Sequence, residues 1–230
     1  MNVNFMIESM PKLLSVLPVT IFLSVIGVIF GLILAIPISI VREKRIPVLA
    51  QIFDVYISLF RGIPIIVQIY IVYYGLPRLL FLLNQNNPGA KGFTMPSMII
   101  GIVAFALNAS ANLSEAFRSA YHGVDKSQYD AAISVGLTKS TTFKKVVIPQ
   151  LIPNFIPNFT NILLDLIKDT ALVYNIGIVE IMGQANILAS FSFNYLEAYL
   201  DALVIYLVVC FIFASLLSLL ENKIKQHVFA

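Results

Sequence analysis

The chain has 230 residues, of which 59% are hydrophobic and only 12% charged, with a net charge of +3 and a mean hydropathy of +0.89. Soluble domains carry roughly 45–50% apolar and about 25% charged residues, so a water-soluble fold of this length would lack polar side chains to cover its surface. That excludes a cytosolic enzyme, a disordered chain and a nucleic-acid module with a basic face, and marks an integral membrane protein of the all-α type.

A bilayer core about 30 Å thick needs about 20 mostly apolar helical residues, because lipid offers backbone groups no hydrogen-bonding partner. Residues 13–41 contain no charge and form the clearest span. The second, residues 47–77, carries Asp54 and Arg61. Residues 92–114 and 146–164 are charge-free, although Pro149, Pro153 and Pro157 break up the start of the latter. Residues 202–220 complete a set of five predicted transmembrane helices in one domain, 1–230. A cleaved signal peptide is not expected, since the first apolar run is too long and no basic cluster precedes it.

Lys and Arg gather on the cytoplasmic side of short loops. Arg42, Lys44 and Arg45 follow the first span, Arg118, Lys126, Lys139, Lys144 and Lys145 the third, and Lys223 and Lys225 the fifth. The other side holds Lys12, Arg78 and Lys91. The N-terminus is therefore expected outside and the C-terminus inside, as an odd number of crossings requires.

Between the third and fourth spans lies a polar insertion, residues 115–150, longer than a minimal loop. Residues 127–135 read as a short helix with Gly136 as its left-handed terminus. Thr138 or Ser140 then caps a second short helix that runs through Phe143, Val146 and Val147 and stops at Pro149. On periodicity alone this reads equally well as a solvated helical hairpin without a partner.

Within it, Asp130-Ala131-Ala132, three residues, Gly136, nine residues and then Val146-Val147-Ile148-Pro149 resembles the E-A-A-x3-G-x9-I-x-L-P signature of ABC importer permeases. Two further stretches resemble the polar amino acid uptake branch of that family. One is Arg61-Gly62-Ile63-Pro64-Ile65-Ile66-Val67-Gln68, continuing to Tyr74-Gly75-Leu76-Pro77, beside R-G-T-P-L-L-V-Q. The other is Pro149-Gln150, Asn161 and Lys168-Asp169-Thr170-Ala171-Leu172, beside P-Q…N…K-D-T-S-L. The match covers residues 61–172. Asp130 for Glu, Ile63 for Thr, Ile148 for Leu and Ala171 for Ser depart from it, and the first shortens the arm of one carboxylate.

The resemblance implies a type I importer permease core with a cytoplasmic coupling helix pair at about 116–150. In that family two permease subunits, identical or homologous, sit side by side above an ATPase dimer, and an extracellular solute-binding protein delivers the substrate. The implied ATPase-coupling residues are Gln128, Tyr129, Asp130, Ala131, Ala132, Gly136 and Leu137, a helix-in-groove contact. No ATPase motif stands in the sequence, so the chain is expected to catalyse nothing and to carry no cofactor, ATP being used by the partner. The implied place is the plasma membrane, crossed several times.

Candidate pathway residues come from the spans, where polar groups are costly and face a bundle interior or a water-filled path. At about 100° per residue, Asn158, Asn161, Asp165, Lys168 and Asp169 share one arc, with Phe159, Leu163, Leu166 and Ile167 outside it. Asn154 joins it if Pro157 leaves the helical phase intact. Asp165 and Lys168, three apart, are placed to pair. Asp165 or Asp169 suits the ammonium of an amino acid; Lys168, Asn161 and Thr170 suit its carboxylate, and Gln68 is a further substrate candidate. The same polar groups would also serve simply to hold helices together. Arg61, Gly62 and Pro64 mark a helix interruption, read as a gate hinge or a static kink, and Asp54 is placed seven residues from Arg61 to pair with it. Cys210 is the single cysteine and His122 and His227 lie far apart, so no disulfide within the chain and no metal motif is expected. The expected function is transfer of a polar amino acid, or a relative such as cystine, by ATP-driven alternating access. Rival readings are a self-sufficient small carrier or channel subunit and a membrane scaffold that moves nothing.

Overall fold

The computed structural model describes residues 1–84 and 95–229, which are helical with no strand among them. The long helix α1, Val3–Glu43, carries the predicted first span and begins ten residues before it, where the Asn2 side chain accepts the Phe5 N–H. Next come α2, Leu49–Gly62, and α3, Ile65–Asn84. Helix α4 runs over Ser97–His122. Lys91 and residues 92–94 of the predicted third span lie outside the described residues. The insertion forms α5, Lys126–Ser134, and α6, Lys139–Thr142. A π-helical turn, Phe143–Val147, leads into α7, Ile148–Asp169. A 3₁₀ turn, Thr170–Ile176, precedes α8, Ile181–Ser192, and α9, Tyr195–Phe229, ends the described chain.

Among the described residues, four helices are long and apolar enough to cross a membrane: Val3–Glu43, Ile65–Asn84, Ser97–His122 and Tyr195–Gln226. The predicted span at 47–77 proves to be two helices. Ile63 is extended (φ −107°, ψ 134°), as a residue before proline prefers, and Pro64 has no N–H to continue the ladder. The predicted span at 146–164 lies in α7, whose polar stripe lowers its mean hydropathy below that of the four.

Two expectations are corrected. Pro149 does not stop a short second helix: α6, the π turn and α7 are continuous, and the proline sits in the first turn of α7, where a missing N–H is tolerated. Asp54 does not pair with Arg61. Its Oδ1 accepts from Arg42 Nε at 2.7 Å, and the same guanidinium pairs with Glu115 on α4. The planar fork of Arg42 serves both carboxylates where α1, α2 and α4 converge.

Helix α4 is the hub, buried along most of its apolar length, whereas α3 and α9 leave most of theirs exposed. Lipid tails are as apolar as leucine, so close packing and polar contacts hold such helices together more than hydrophobicity does. Gly27 and Gly31 supply the closeness: added Cβ atoms would stand 2.7 Å from Phe105 Cβ and 2.5 Å from Ala109 Cβ. Leu23, Phe105, Leu113, Leu166 and Ile167 fill the interior beside them. Buried Glu180 supplies the polar contact. It accepts from the Gly183 N–H of α8 at 2.8 Å, Tyr206 Oη of α9 at 2.6 Å and Thr20 Oγ1 of α1 at 3.3 Å.

Candidate functional site

The break between α2 and α3 is repaired from within. In an unbroken helix the N–H at position 64 would meet the carbonyl of Phe60, and proline has none. Gln68, one turn into α3 and buried, donates Nε2 to the carbonyls of Phe60 and of Ile63, each at 2.7 Å. Its Oε1 accepts from Asn108 Nδ2 of α4 at 3.0 Å, and Asn112 Nδ2 donates in turn to Asn108 Oδ1 at 3.2 Å. Gln68, a candidate substrate residue by sequence, is thus engaged by the protein on both ends of its amide.

Beside this break lies a cavity of about 500 Å³, within the roughly 300–1,000 Å³ usual for small-molecule sites. Phe60, Arg61 and Ile63 line it from the break, and Asn108 and Asn112 from the middle of α4. Helix α7 contributes Ile162, Asp165, Leu166, Lys168 and Asp169. The structure therefore gathers Arg61, Asp165, Lys168 and Asp169 around one space. Asp165 Oδ1 accepts from Lys168 Nζ at 2.7 Å, as their spacing predicts.

Other candidates stand elsewhere. Asn161 is exposed on the same face of α7 as Asn154, Asn158, Asp165 and Lys168, but does not line the cavity. Thr170 is fully buried and donates Oγ1 to the Ile167 carbonyl at 2.7 Å. Gly62 and Pro64 form the break itself. Asn108 and Asn112 were not singled out by sequence; two asparagines four apart in the charge-free part of α4 were the available signal. Among the described residues, no group of three or more His, Cys, Asp or Glu side chains is placed to hold a metal.

At the far end of α4, the α5–α6 hairpin presents the coupling candidates. Asp125 caps α5 by accepting the Ser127 N–H at 2.9 Å, a bond that holds its carboxyl below the usual carboxylate range. Gln128 Oε1 accepts from Gln150 Nε2 at 2.5 Å, tying α5 to α7. Ala132 is buried and Tyr129 half-buried, while Asp130, Ala131 and Gly136 face outward. Val135 and Leu137 are exposed as well, at 80% and 37%, an apolar patch with no cover from this chain. Gly136 has φ +89° and ends α5. Thr138 caps α6 through the Thr141 N–H.

A bundle built around a broken helix and a cavity lined by charges, with a polar hairpin whose turn exposes Val135 and Leu137, is the architecture of a membrane transport subunit. Residues 27–226 match the family model of binding-protein-dependent transport system inner membrane components. The chain belongs to that family, the ABC transporter permeases, and is a multi-pass membrane protein. It is 34% identical over 223 residues to the probable amino-acid permease protein YxeN of Bacillus subtilis (strain 168), covering 97% of this chain and 96% of that one. It is 33% identical to the L-cystine transport system permease protein TcyL of the same organism, covering 98% and 92%. Among solved structures, an amino acid ABC transporter crystallised with histidines superposes with a TM-score of 0.83 at 31% identity, covering 95% of this chain and 96% of that chain. An inward-facing MetNI methionine ABC transporter, at 16% identity and a TM-score of 0.67, shares the fold.

Proposed function

We propose that the chain is the membrane-spanning subunit through which an ABC importer moves a polar amino acid, or a close relative such as cystine, across the plasma membrane. The observation that carries this reading is the cavity at the α2–α3 break. Irregular backbone at membrane depth is tolerated where it lines a cavity or is buried in protein, and charged groups at that depth mark substrate pathways. Asn108 lies 11 residues after the start of α4, about 16 Å along it at 1.5 Å per residue, near the middle of a 30 Å core. Relatives named for amino acids and for cystine support the substrate class.

In this reading α2 and α3 make one broken crossing, and α7, whose 22 residues reach about 33 Å, makes the fourth of five. The N-terminus faces outward and the α5–α6 hairpin faces the cytoplasm, in accord with the basic residues near it. The hairpin docks in a cleft of a separate ATPase dimer through Ala131, Val135 and Leu137. ATP-dependent closure of that dimer drives the bundle, and a paired permease subunit, between outward and inward access. An extracellular binding protein supplies the substrate. A self-sufficient carrier would leave the hairpin without a role.

The test is uptake of labelled glutamine, cystine, arginine and glutamate into proteoliposomes holding the permease, its ATPase and its binding protein. Uptake that requires both ATP and the ATPase is expected for at least one probe. Uptake of none, or equal uptake without the ATPase, overturns the reading.

A further inference from the structure

The turn between α1 and α2 divides its charges into two kinds. Arg42 is held by Asp54 and Glu115, and Glu43 Oε2 lies 3.1 Å from His122 Nε2, so each carboxylate at this end of α1, α2 and α4 is engaged. Lys44 and Arg45 are exposed, and their side chains have no ion-pair or hydrogen-bond partner among the described residues. The backbone is bent to hold them there. Helix α1 closes in a Schellman motif, in which the N–H of Arg45 donates to the Arg42 carbonyl and that of Ile46 to the Val41 carbonyl, each at 3.1 Å. Arg45 takes the left-handed place of that motif, φ +49°, where glycine would stand without steric cost. A cation kept at a strained position points to a use beyond the turn itself.

Depth identifies the missing anion. His122, level with Glu43, lies about 21 Å along α4 from Asn108 at 1.5 Å per residue. With Asn108 near the membrane centre, Lys44 and Arg45 stand beyond the core, whose half-thickness is about 15 Å, and within the headgroup layer, which ends at about 20–22 Å. Val48, Leu49 and Ile52 follow, all exposed. The chain thus passes from a pair of cations to an apolar surface, as a phospholipid passes from its phosphate to its acyl chains.

We infer that the α1–α2 turn binds an anionic phospholipid of the cytoplasmic leaflet, with Lys44 and Arg45 on its phosphate and its acyl chains along Val48, Leu49 and Ile52. The assignment rests on the orientation and depth proposed above. A zwitterionic lipid brings its own cation with its phosphate, whereas phosphatidylglycerol leaves the phosphate charge unmatched. Each basic residue at an anionic lipid surface strengthens binding about fivefold.

The experiment titrates the detergent-purified permease–ATPase complex, stripped of lipid, with phosphatidylglycerol or phosphatidylcholine and counts bound phospholipid by native mass spectrometry. The first phosphatidylglycerol is expected to bind about tenfold or more tightly than phosphatidylcholine. Arg45→Gly relaxes the turn while it removes a cation, so it should weaken phosphatidylglycerol about fivefold without lowering thermal stability. Lys44→Gln should weaken it to a similar extent, Arg45→Lys should keep the preference, and the double variant Lys44→Gln with Arg45→Gly should abolish it. Lys223→Gln, which removes an exposed cation near the end of α9, should leave the preference intact. Inorganic phosphate should not displace the lipid, since it has no chains to lie on α2. Equal binding of the two lipids by the intact complex, a preference that survives the double variant, an equal loss in Lys223→Gln, or displacement by inorganic phosphate overturns the inference. None of these results bears on the proposed function, which stands or falls separately on ATP-dependent uptake.

Discussion

Asn108 of α4 donates Nδ2 to Oε1 of Gln68 at 3.0 Å, so an amide lining the cavity holds the residue that closes the gap left by Pro64. Gln68→Ala would return two carbonyls, of Phe60 and Ile63, to a membrane interior without donors, at a cost of about 1–3 kcal/mol for an unsatisfied buried group. Asn108→Ala removes one neutral hydrogen bond, and such bonds between membrane helices average about 0.6 kcal/mol. Thermal unfolding of the complex should therefore rank Gln68→Ala well below Asn108→Ala. The double variant should be less destabilised than the sum, since both remove one shared contact. Strict additivity would show that the two amides are independent.

The contact of α1 with α4 depends on two missing side chains. Gly31→Ala places a methyl 2.5 Å from Ala109 Cβ, and its next neighbours are the Ser110 nitrogen and the Ala106 carbonyl, which are backbone and cannot rotate aside. Overpacking of that kind costs about 1–3 kcal/mol. Gly75→Ala, where nothing lies within 4 Å, is the control. Lowered thermal stability is expected from the first substitution and none from the second.

The first and last spans and the polar stripe of α7 were legible in the sequence because both rest on local rules. Spans follow from the length of uncharged runs, and the stripe follows from the 100° step, which survives Pro153 and Pro157. Gly136 was readable because a helix followed by glycine and a capping threonine has few other solutions. Side-chain partners were not readable. Asp54 and Arg61 share a face of one helix, but the nearer cation is Arg42, 12 residues away in sequence and brought in by the α1–α2 turn. Gln68 looked like a substrate ligand because its type suits one, while its partners are fixed by a proline four residues earlier. Asn108 and Asn112 escaped notice because only the approach of α2 and α7 makes their face of α4 a cavity wall.

The Asp125 cap gives the hairpin an acid-sensitive joint. Its carboxyl is held below the usual range mainly by the Ser127 N–H, so the cap acts in its ionised form. A carboxylate with a lowered folded pKa contributes stability above its unfolded pKa, near 3.9, and loses it as pH falls through the folded value. Amide exchange of residues 126–134, corrected for intrinsic rates, should show α5 fraying below about pH 4. Asp125→Asn retains a capping oxygen without the titration, so its α5 should show no such pH dependence.

Gly136 joins α5 to α6 at φ +89°, with open space where a side chain would stand. Gly136→Val therefore meets no clash, and its cost is that of a β-branched residue held at positive φ, about 1–2 kcal/mol or more. The easiest relief is for residue 136 to return to negative φ, which swings α5 away from α6 and the π turn. The Gln128–Gln150 contact would then part, and Val135 and Leu137 would no longer project together. Because the hairpin adds little to the interior of the bundle, membrane insertion and thermal stability of the isolated permease should change little. Co-purification of the ATPase and substrate-stimulated ATP hydrolysis should fall tenfold or more, as expected when about 1.4 kcal/mol or more is set against a docked conformation. Gly136→Asn, which tolerates positive φ far better than valine, should recover most of both. A valine variant that retains ATPase and uptake at full strength would place the motor's grip on some other surface of this chain.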